Sequence, residues 1–207
     1  MIAVVDYGVG NLFSLESSLK LVCAKSVVTS DPDVIRSADK ILLPGVGAFP
    51  DARKKLSEAG LDTVLIEEAL NGKHLLGICL GMQMLFEKSY EYGIHRGLSL
   101  LGGNVVSMEG RLPEGYKIPH IGWNSLKFKK EHPVFKYVGN GDFVYFVHSF
   151  FATDCGESLI ATTDYGIELT AAVAKDNICA TQFHPEKSGE VGLGILRAFS
   201  EWSYKRC

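Results

Sequence analysis

The first half of the chain alternates short, continuously apolar runs with segments whose apolar residues recur every three or four positions. Continuous apolar runs of this length are typical of strands buried on both faces, and the helical spacing is typical of amphipathic helices. The alternation therefore predicts an α/β fold, with a mostly parallel central sheet covered by helices on both faces. Predicted strands lie at 2–5, 26–29, 40–43 and 74–78, and predicted helices begin near residue 12 and cover about 49–71, broken near Gly60, and about 81–88.

The second half of the chain contains more strands. Apolar and β-branched runs predict strands at 105–108, 143–147, 159–163, 171–174 and 178–183, followed by a last helix at about 191–204. We expect some of these strands to be additional antiparallel ones. The length of 207 residues, without an evident linker or low-complexity tract, predicts a single domain over 1–207.

Composition excludes several classes of function. Lysine and arginine number 21 and aspartate and glutamate 24, so the net charge is −3 and no basic excess favours nucleic acid or an anionic membrane. No stretch approaches the roughly 18 apolar residues of a membrane span, and the N-terminus does not resemble a secretion signal. The five cysteines form no Cys-x-x-Cys pair, which predicts a cytoplasmic protein without a disulfide framework.

The segment Gly77-Ile78-Cys79-Leu80-Gly81 places a potential nucleophile between two glycines. It joins a predicted strand to a predicted helix, which is the context of a nucleophile elbow. The glycines allow strand and helix to pass closely and permit a strained central residue. The Cys79 sulfur would then lie at the carboxyl end of the sheet and at a helix N-terminus, which favours a thiolate, and the Leu80 N–H would face an oxyanion. The alternative is a buried structural cysteine in a tight turn.

A cysteine nucleophile needs a base, and His184 is the best-placed histidine. It follows the apolar run at 178–183, so it also lies at the carboxyl end of a strand, which Pro185 prevents from continuing. Glu186 comes two residues later, a spacing that can place its carboxylate beside the imidazole. These residues form a Cys-His-Glu arrangement only if the two strands are neighbours, which the sequence does not decide.

The other histidines and cysteines are interpreted as structural, and no pair has metal-ligand spacing, so no metal site is predicted. Three histidines beside charged residues are predicted to be solvated: His74, His95 and His132. Two in apolar runs are predicted to be packed: His120 and His148. Among the other cysteines, Cys23 and Cys179 are predicted to be core residues. Cys155 and Cys207 are predicted to be exposed.

Two glycine pairs follow predicted strands, Gly8-x-Gly10 and Gly45-x-Gly47. Both lack the third glycine of the dinucleotide-binding fingerprint, which argues against that function. The second pair leaves its peptide planes free to reorient. A backbone N–H of this loop is therefore either a second oxyanion donor or part of an ordinary strand-to-helix turn.

The elbow at 76–83, together with Gln182-Phe183-His184-Pro185-Glu186, resembles the class I (triad) glutamine amidotransferases. The segments 6–11, 118–124 and 145–149 narrow the resemblance to the glutaminase subunits of imidazole glycerol phosphate synthase, along essentially the whole chain. The resemblance implies a flavodoxin-like core and no cofactor. Two alternatives stay open: a paralogous amidotransferase subunit serving another acceptor, such as a cell-surface sugar, and a non-enzymatic interaction module, which would be expected to carry a broken triad.

The resemblance also implies residue roles. Cys79 would attack the side-chain amide of glutamine, His184 would protonate the departing ammonia and later activate water, and Glu186 would orient His184. The implied oxyanion hole comes from the backbone of Val46, Gly47 and Leu80. The implied glutamine contacts come from Gly45, Gln83, Ser149 and Phe150.

The same resemblance implies a partner. Ammonia would pass to a (β/α)8-barrel cyclase subunit, bound as a heterodimer, which makes imidazole glycerol phosphate and an aminoimidazole carboxamide ribotide in histidine biosynthesis. Asn11, Ser14 and Lys187 flank the expected catalytic face and are predicted to meet this partner; the alternative is a helix N-cap and solvated polar groups. We expect the chain alone to be nearly inactive, because Gly45 and Gly47 would hold the Val46 peptide in an inactive orientation.

Overall fold

The computed structural model describes residues 1–203. Strands and helices alternate through the first half, as the apolar pattern predicts, and the helix predicted at 49–71 is divided in two at Gly60, whose φ is +68°. The elements are β1 (Ile2–Val5), α1 (Leu12–Leu21), β2 (Ser26–Thr29), α2 (Pro32–Ser37), β3 (Lys40–Leu43), α3 (Phe49–Glu58), α4 (Leu61–Leu70), β4 (His74–Ile78) and α5 (Leu80–Met84).

The second half is dominated by strands and ends in one helix. Three single 3-10 turns, at Pro133–Phe135, Gly156–Ser158 and Pro185–Lys187, separate some of them. None of the helices within residues 1–203 has the length and apolar character needed to cross a membrane. The elements are β5 (Lys88–Ser89), β6 (His95–Arg96), β7 (Asn104–Ser107), β8 (His120–Ser125), β9 (Lys127–Phe128), β10 (Phe143–His148), β11 (Phe150–Thr153), β12 (Leu159–Asp164), β13 (Glu168–Lys175), β14 (Ile178–Thr181) and α6 (Gly189–Glu201).

The central sheet has the strand order β2-β1-β3-β4-β14-β13-β12-β9. The strands from β2 to β14 are parallel, and β13, β12 and β9 continue the sheet as antiparallel strands. Two smaller sheets, β10-β8 and β11-β7-β5-β6, lie outside it. The predicted α/β fold, with a mostly parallel central sheet and additional antiparallel strands, is confirmed.

Alternate residues of the central strands face two different helix layers. Ile41 and Leu75 pack with residues of α2, α3 and α4, whereas Leu42 and Leu76 pack with residues of α1 and α6. Successive side chains of a strand point to opposite faces of the sheet. Continuous apolar strands therefore bury both faces, which is why the sequence pattern predicted helices on both sides.

Helix α5 ends at Met84, although the sequence predicted helix to about residue 88. The Met84 carbonyl accepts a hydrogen bond from the Leu98 N–H at 2.7 Å. Lys88 and Ser89 pair instead with β6 and β7. Tertiary pairing with the following segment therefore replaces the last helical turn that the apolar spacing indicated.

Helix α6 ends at Glu201, so the predicted extension through Trp202 and Ser203 is wrong, and Tyr204 lies outside the described residues. The Lys40 ammonium donates to the backbone carbonyls of Phe199 and Trp202 at 2.7 and 2.6 Å, respectively. Carbonyls at a helix C-terminus have no intrahelical partner, and a cation satisfies them. A lysine on the central strand β3 thus caps this helix.

Two strands beside the site, β8 and β11, are absent from the sequence prediction. Strand β8 contains Gly122 and ends in the polar pair Asn124 and Ser125, and it pairs with β10 in antiparallel register. Strand β11 follows β10 after one residue and pairs with β7. Both strands depend on partners distant in sequence, so local periodicity gave a weak signal for them.

The predictions are confirmed for the two histidines in apolar runs and are wrong for the three histidines beside charged residues. His120 and His148 are buried, as predicted. His74 is also buried, contrary to prediction, because its ring packs edge-on against Trp202 with centroids 4.7 Å apart. His95 and His132 are half-buried rather than solvated.

Two cysteine predictions are wrong. Cys23 is exposed just after the end of α1, where its φ is +57°, and it is not a core residue. Cys155 is half-buried against the Thr170 hydroxyl, with the sulfur 3.7 Å from that oxygen. Cys179 is buried, as predicted, and Cys207 lies outside the described residues.

Candidate active site

Cys79 forms the turn between β4 and α5. Its φ and ψ are +54° and −110°, a region that residues with a Cβ rarely adopt. A Cβ on Gly81 would stand 1.9 Å from the Leu43 carbonyl oxygen, and one on Gly77 would stand 3.0 Å from the Gly81 backbone. Strand and helix therefore pass as closely as the double-glycine pattern predicted, and Cys79 has the strained backbone of a nucleophile elbow.

The strands that lead to Cys79 and to His184 are neighbours in the central sheet. Ile78 of β4 lies opposite Thr181 of β14 in parallel register. The Cys79 N–H then donates to the Thr181 carbonyl at 2.7 Å. Because parallel strands end at the same edge of a sheet, this pairing brings Cys79 and His184 together, which is the condition that the sequence left open.

His184 is buried and hydrogen-bonded to Glu186. Its Nδ1 lies 2.8 Å from Glu186 Oε1, and the two side chains are only 2% and 4% exposed. The His184 backbone is held on both sides, since its N–H donates to the Tyr145 carbonyl at 2.9 Å and its carbonyl accepts from the Ser188 hydroxyl at 2.6 Å. Glu186 therefore fixes the ring orientation and leaves Nε2 for the sulfur of Cys79.

The electrostatics of this cluster favour a protonated imidazole. Burial by itself lowers the pKa of His184, but Cys79 and Glu186 outweigh it and raise the pKa to about 10. The cause is the negative charge that a thiolate and a carboxylate place on the two sides of one ring. A thiolate–imidazolium pair next to a carboxylate is the arrangement required for nucleophilic attack by a cysteine.

A cavity of about 390 Å³ opens above Cys79 and His184. This volume lies in the range of small-molecule sites, which is roughly 300–1,000 Å³. Six residues that the sequence singled out line it: Val46, Gly47, Leu80, Gln83, Ser149 and Phe150. Leu80 is the first residue of α5, so its N–H has no partner within the helix and is available to a ligand oxygen.

Gly45 lies behind the cavity wall. A Cβ at this position would be 2.8 Å from the Gly81 nitrogen and 2.8 Å from the Tyr7 hydroxyl oxygen. That hydroxyl donates to the Pro44 carbonyl at 2.7 Å and holds the loop before Val46. Gly47 has a φ of +93° and open space around its Cα, so the peptides on either side of Val46 border the cavity without being packed in.

Sequence reasoning did not single out Glu91, which lines the same cavity. Its side chain is buried, and its Oε2 accepts from the Phe49 N–H at the start of α3 at 2.8 Å. Burial raises the pKa of this carboxyl. Glu91 follows a two-residue strand in a polar stretch, where no periodicity or motif marks it.

Gln83 is held in a buried chain of hydrogen bonds. Its amide NH2 donates to the Phe150 carbonyl and to Gln182 Oε1, both at 3.0 Å. Gln182, in turn, donates to the sulfur of Cys79 at 3.6 Å. Both donor positions of Gln83 are therefore used within the protein, and its amide oxygen is the group that it can offer to a ligand.

Comparison with known proteins agrees with this geometry. The family model for glutamine amidotransferase class-I matches residues 3–200. The chain belongs to the class-I glutamine amidotransferases.

Relatives within this family cover nearly the full length of the amidotransferase chain. Proteins named imidazole glycerol phosphate synthase subunit HisH from Caldanaerobacter subterraneus subsp. tengcongensis and from Aquifex aeolicus are both 50% identical to it. The first alignment covers 97% of this chain and 98% of the relative, and the second covers 98% and 97%. The subunit HisH of Geobacter sulfurreducens is 47% identical, with coverage of 97% and 98%.

Solved structures share the amidotransferase fold at low identity. A crystal structure described as a glutamine amidotransferase superposes with a TM-score of 0.73 at 18% identity, covering 93% of this chain and 95% of that one. The glutaminase domain of Trypanosoma brucei CTPS with bound acivicin superposes with a TM-score of 0.67 at 17% identity, covering 99% and 95%. At such identities the likeness shows the fold alone.

Of the three residues predicted to meet a partner, Asn11 and Ser14 lie at the start of α1, and Lys187 directly follows Glu186. Asn11 accepts from the Ser14 N–H at 3.4 Å, so it is the N-cap of α1, and it also lines a small cavity with His184 and Glu186. The Lys187 ammonium lies 5.7 Å from the centroid of the Tyr145 ring. Among the described residues, no group of three or more histidine, cysteine or acidic side chains is arranged to hold a metal ion.

Proposed function

We propose that this chain is the glutaminase subunit of an imidazole glycerol phosphate synthase, and that it hydrolyses glutamine to glutamate and ammonia. The observation that carries the proposal is the buried His184–Glu186 pair beside Cys79, at the floor of a cavity of small-molecule size. The near-full-length likeness to subunits of that synthase supports the same assignment.

The first half of the reaction forms a thioester. The proton of the Cys79 thiol moves to His184 Nε2 when the ion pair forms, and the sulfur then attacks the amide carbon of glutamine as a thiolate, while the C=O electron pair moves to the oxygen. As the tetrahedral intermediate collapses, the C–N bond breaks and the nitrogen takes the proton from His184, leaving as ammonia. Glu186 stabilises the imidazolium between these two transfers.

The second half releases glutamate. His184 removes a proton from water as the water oxygen attacks the thioester carbonyl carbon. The C–S bond then breaks, and the sulfur of Cys79 leaves as a thiolate beside the protonated His184, which restores the ion pair. The sum is glutamine plus water giving glutamate plus ammonia, with the enzyme unchanged.

The oxyanion of both intermediates would be bound by backbone N–H groups. The Leu80 N–H, at the start of α5, lies directly after the nucleophile. A second donor would come from the loop at Val46 and Gly47, which lines the same cavity next to Leu80. Loss of one such donor typically lowers the rate by about 10²–10³-fold, so the orientation of the Val46 peptide can decide whether the site is active.

Recognition of glutamine would depend on its charged α-substituents. The buried Glu91 carboxylate and the amide oxygen of Gln83 are acceptors suited to an α-ammonium group. The backbone near Ser149 and Phe150 borders the same cavity and would hold the α-carboxylate. Gly45, behind the wall, would contribute by keeping the Val46 loop close to α5.

We infer that the partner is a (β/α)8-barrel cyclase that receives the ammonia. Exposed apolar residues lie beside the site on β8, where Ile121 and Trp123 are 59% and 53% exposed. Trp123 packs edge-on against Tyr145, whose ring lies next to the Lys187 ammonium. Such a patch, rimmed by a cation, is suited to a protein interface, and a docked partner would keep the ammonia away from solvent.

The activity is tested by measuring glutamate release from glutamine by the full chain. The chain is assayed alone, with the matching cyclase subunit, and with the cyclase and its ribonucleotide ligand. We expect a large rise in the last mixture over a low baseline, no turnover by Cys79→Ala, and unchanged turnover by Cys23→Ala, which alters an exposed cysteine. If Cys79 is alkylated by a glutamine mimic but the cyclase gives no rise, the chain serves another acceptor.

The interface is tested separately by affinity for the cyclase subunit. Truncation of a central interface tryptophan typically costs 2 kcal/mol or more, so we expect Trp123→Ala to weaken binding by about 30-fold. Leu21→Ala is the control, because Leu21 is 72% exposed at the C-terminal end of α1, whereas His184 lies near the N-terminal end of this helix. If the two variants bind the cyclase subunit with equal affinity, the cyclase contacts another surface of this chain.

A further inference from the structure

The buried hydrogen-bond chain beside the site has only one possible direction. The Phe150 backbone carbonyl can only accept, so the part of the Gln83 side chain that faces it must be the NH2 group. The same NH2 group faces Gln182, whose nearer atom must then be the amide oxygen. The Gln182 NH2 group is therefore left to face the sulfur of Cys79, at 3.6 Å.

We propose that Gln182 is a dedicated hydrogen-bond donor to the nucleophile, which holds the Cys79 sulfur in place and stabilises its thiolate form. Gln182 is completely buried, and Cys79 is 7% exposed, so water contributes little solvation to a charge on this sulfur. A sulfur anion accepts a hydrogen bond more strongly than a thiol does. The Gln182 amide therefore favours the state of Cys79 that attacks glutamine.

The surroundings of the sulfur explain why such a donor is needed. The Val147 carbonyl oxygen lies 4.0 Å from the sulfur and favours the thiol, because it accepts from S–H and repels a thiolate. His184 favours the thiolate only while its ring carries the proton, and it must give that proton to the departing nitrogen. Gln182 is neutral and keeps its N–H groups throughout, so it can stabilise the sulfur again when the thioester breaks.

This inference rests on the proposed function, but its test includes a reaction that needs no partner. Gln182→Met keeps the length of the side chain and removes the donor, and Gln182→Glu places an acceptor or a negative charge beside the sulfur. Thr170→Val is the matched control, because it removes a buried hydroxyl that donates to the Ala152 carbonyl at 2.7 Å on the adjacent strand β13.

The first readout is the rate at which iodoacetamide alkylates Cys79 in the full chain at neutral pH, resolved by peptide mass spectrometry. Alkylation of Cys23, which is exposed, serves as an internal reference in the same sample. A hydrogen bond to a charged group is worth enough that we expect the Cys79 to Cys23 ratio to fall by about 10- to 100-fold in Gln182→Met. We expect a larger fall in Gln182→Glu and a ratio within about 2-fold of wild type in Thr170→Val.

The second readout is glutaminase kinetics with the cyclase and its ligand. We expect Gln182→Met to lower kcat by about 10- to 100-fold and to raise KM by a smaller factor, because the donor contacts the reacting sulfur directly and reaches the substrate only through Gln83. An unchanged alkylation ratio in Gln182→Met, with wild-type chain that is active, overturns the inference and leaves the proposed function standing. If the wild-type chain shows no turnover but the variants give the expected alkylation ratios, the proposed function is wrong and the role of Gln182 stands.

Discussion

His120 and His148 are buried side by side as neutral rings, which makes stability depend on pH. His148 lies within 2.8 Å of the Phe150 carbonyl through Nδ1, so this nitrogen carries its proton and Nε2 is an acceptor. His120 Nδ1 must then donate to that acceptor, at 3.1 Å. The Asn124 amide, fixed by its bond to the Asp164 carbonyl, faces His120 Nε2. Neither ring has a position for a second proton without breaking this chain.

The magnitude of the effect follows from the two pKa values. Burial lowers the pKa of His120 to about 4 and that of His148 to about 3. In the unfolded chain both rings bind a proton near pH 6.5, so the unfolded state gains protons first as the pH falls and stability decreases. At about 1.4 kcal/mol per pH unit and per group, each ring should cost about 2 kcal/mol of unfolding free energy by pH 5.

The assay is urea unfolding of wild type and His120→Asn at about pH 7, 6 and 5. Asparagine replaces the Nδ1 donor without a titratable ring, so the variant should lose about 2 kcal/mol less than wild type between about pH 7 and pH 5. Groups common to both proteins cancel in this difference, including His184, whose raised pKa acts in the opposite direction. Phe146→Leu is the control, because Phe146 stacks on His120 with centroids 4.9 Å apart but binds no proton. If the unfolding free energies of wild type and His120→Asn change in parallel with pH, the two rings are not buried as a neutral pair.

Three further predictions concern the site. Glu186→Gln should lower kcat less than His184→Ala, because orienting the ring is a smaller task than transferring protons; the reverse order in steady-state kinetics would contradict the roles. Gly81→Ala should prevent folding or lower the unfolding free energy by more than about 3 kcal/mol, because its Cβ would lie 1.9 Å from a backbone carbonyl oxygen. Gly102→Ala is the control in chemical denaturation and should be near neutral, because the space around Gly102 is open. Glu91→Gln should raise KM for glutamine more than it lowers kcat, and an unchanged KM would exclude its contact with the α-ammonium group.

The elbow at Cys79 is a feature of the site that a local sequence pattern predicts. Gly77 and Gly81 flank Cys79 in the sequence, and the strained turn between β4 and α5 could be predicted from those residues because only glycine tolerates the close approach. Predicting that His184 is oriented by Glu186 required only a spacing of two residues after a strand. By contrast, the sequence carried no sign of Glu91, which reaches the cavity from a short hairpin and bonds to Phe49.

The amino-acid sequence by itself determined the α/β fold, the elbow at Cys79 and the pairing of His184 with Glu186, because each depends on residues close together along the chain. Only the tertiary structure decided that β4 and β14 are neighbours, so that Cys79 and His184 meet at one edge of the sheet. It also decided which groups face the sulfur, including Gln182, and which histidines are buried as neutral rings. These features depend on strand order and on hydrogen bonds between residues far apart in sequence. The free energy of such hydrogen bonds depends on burial, because water no longer competes for the polar groups once it is excluded.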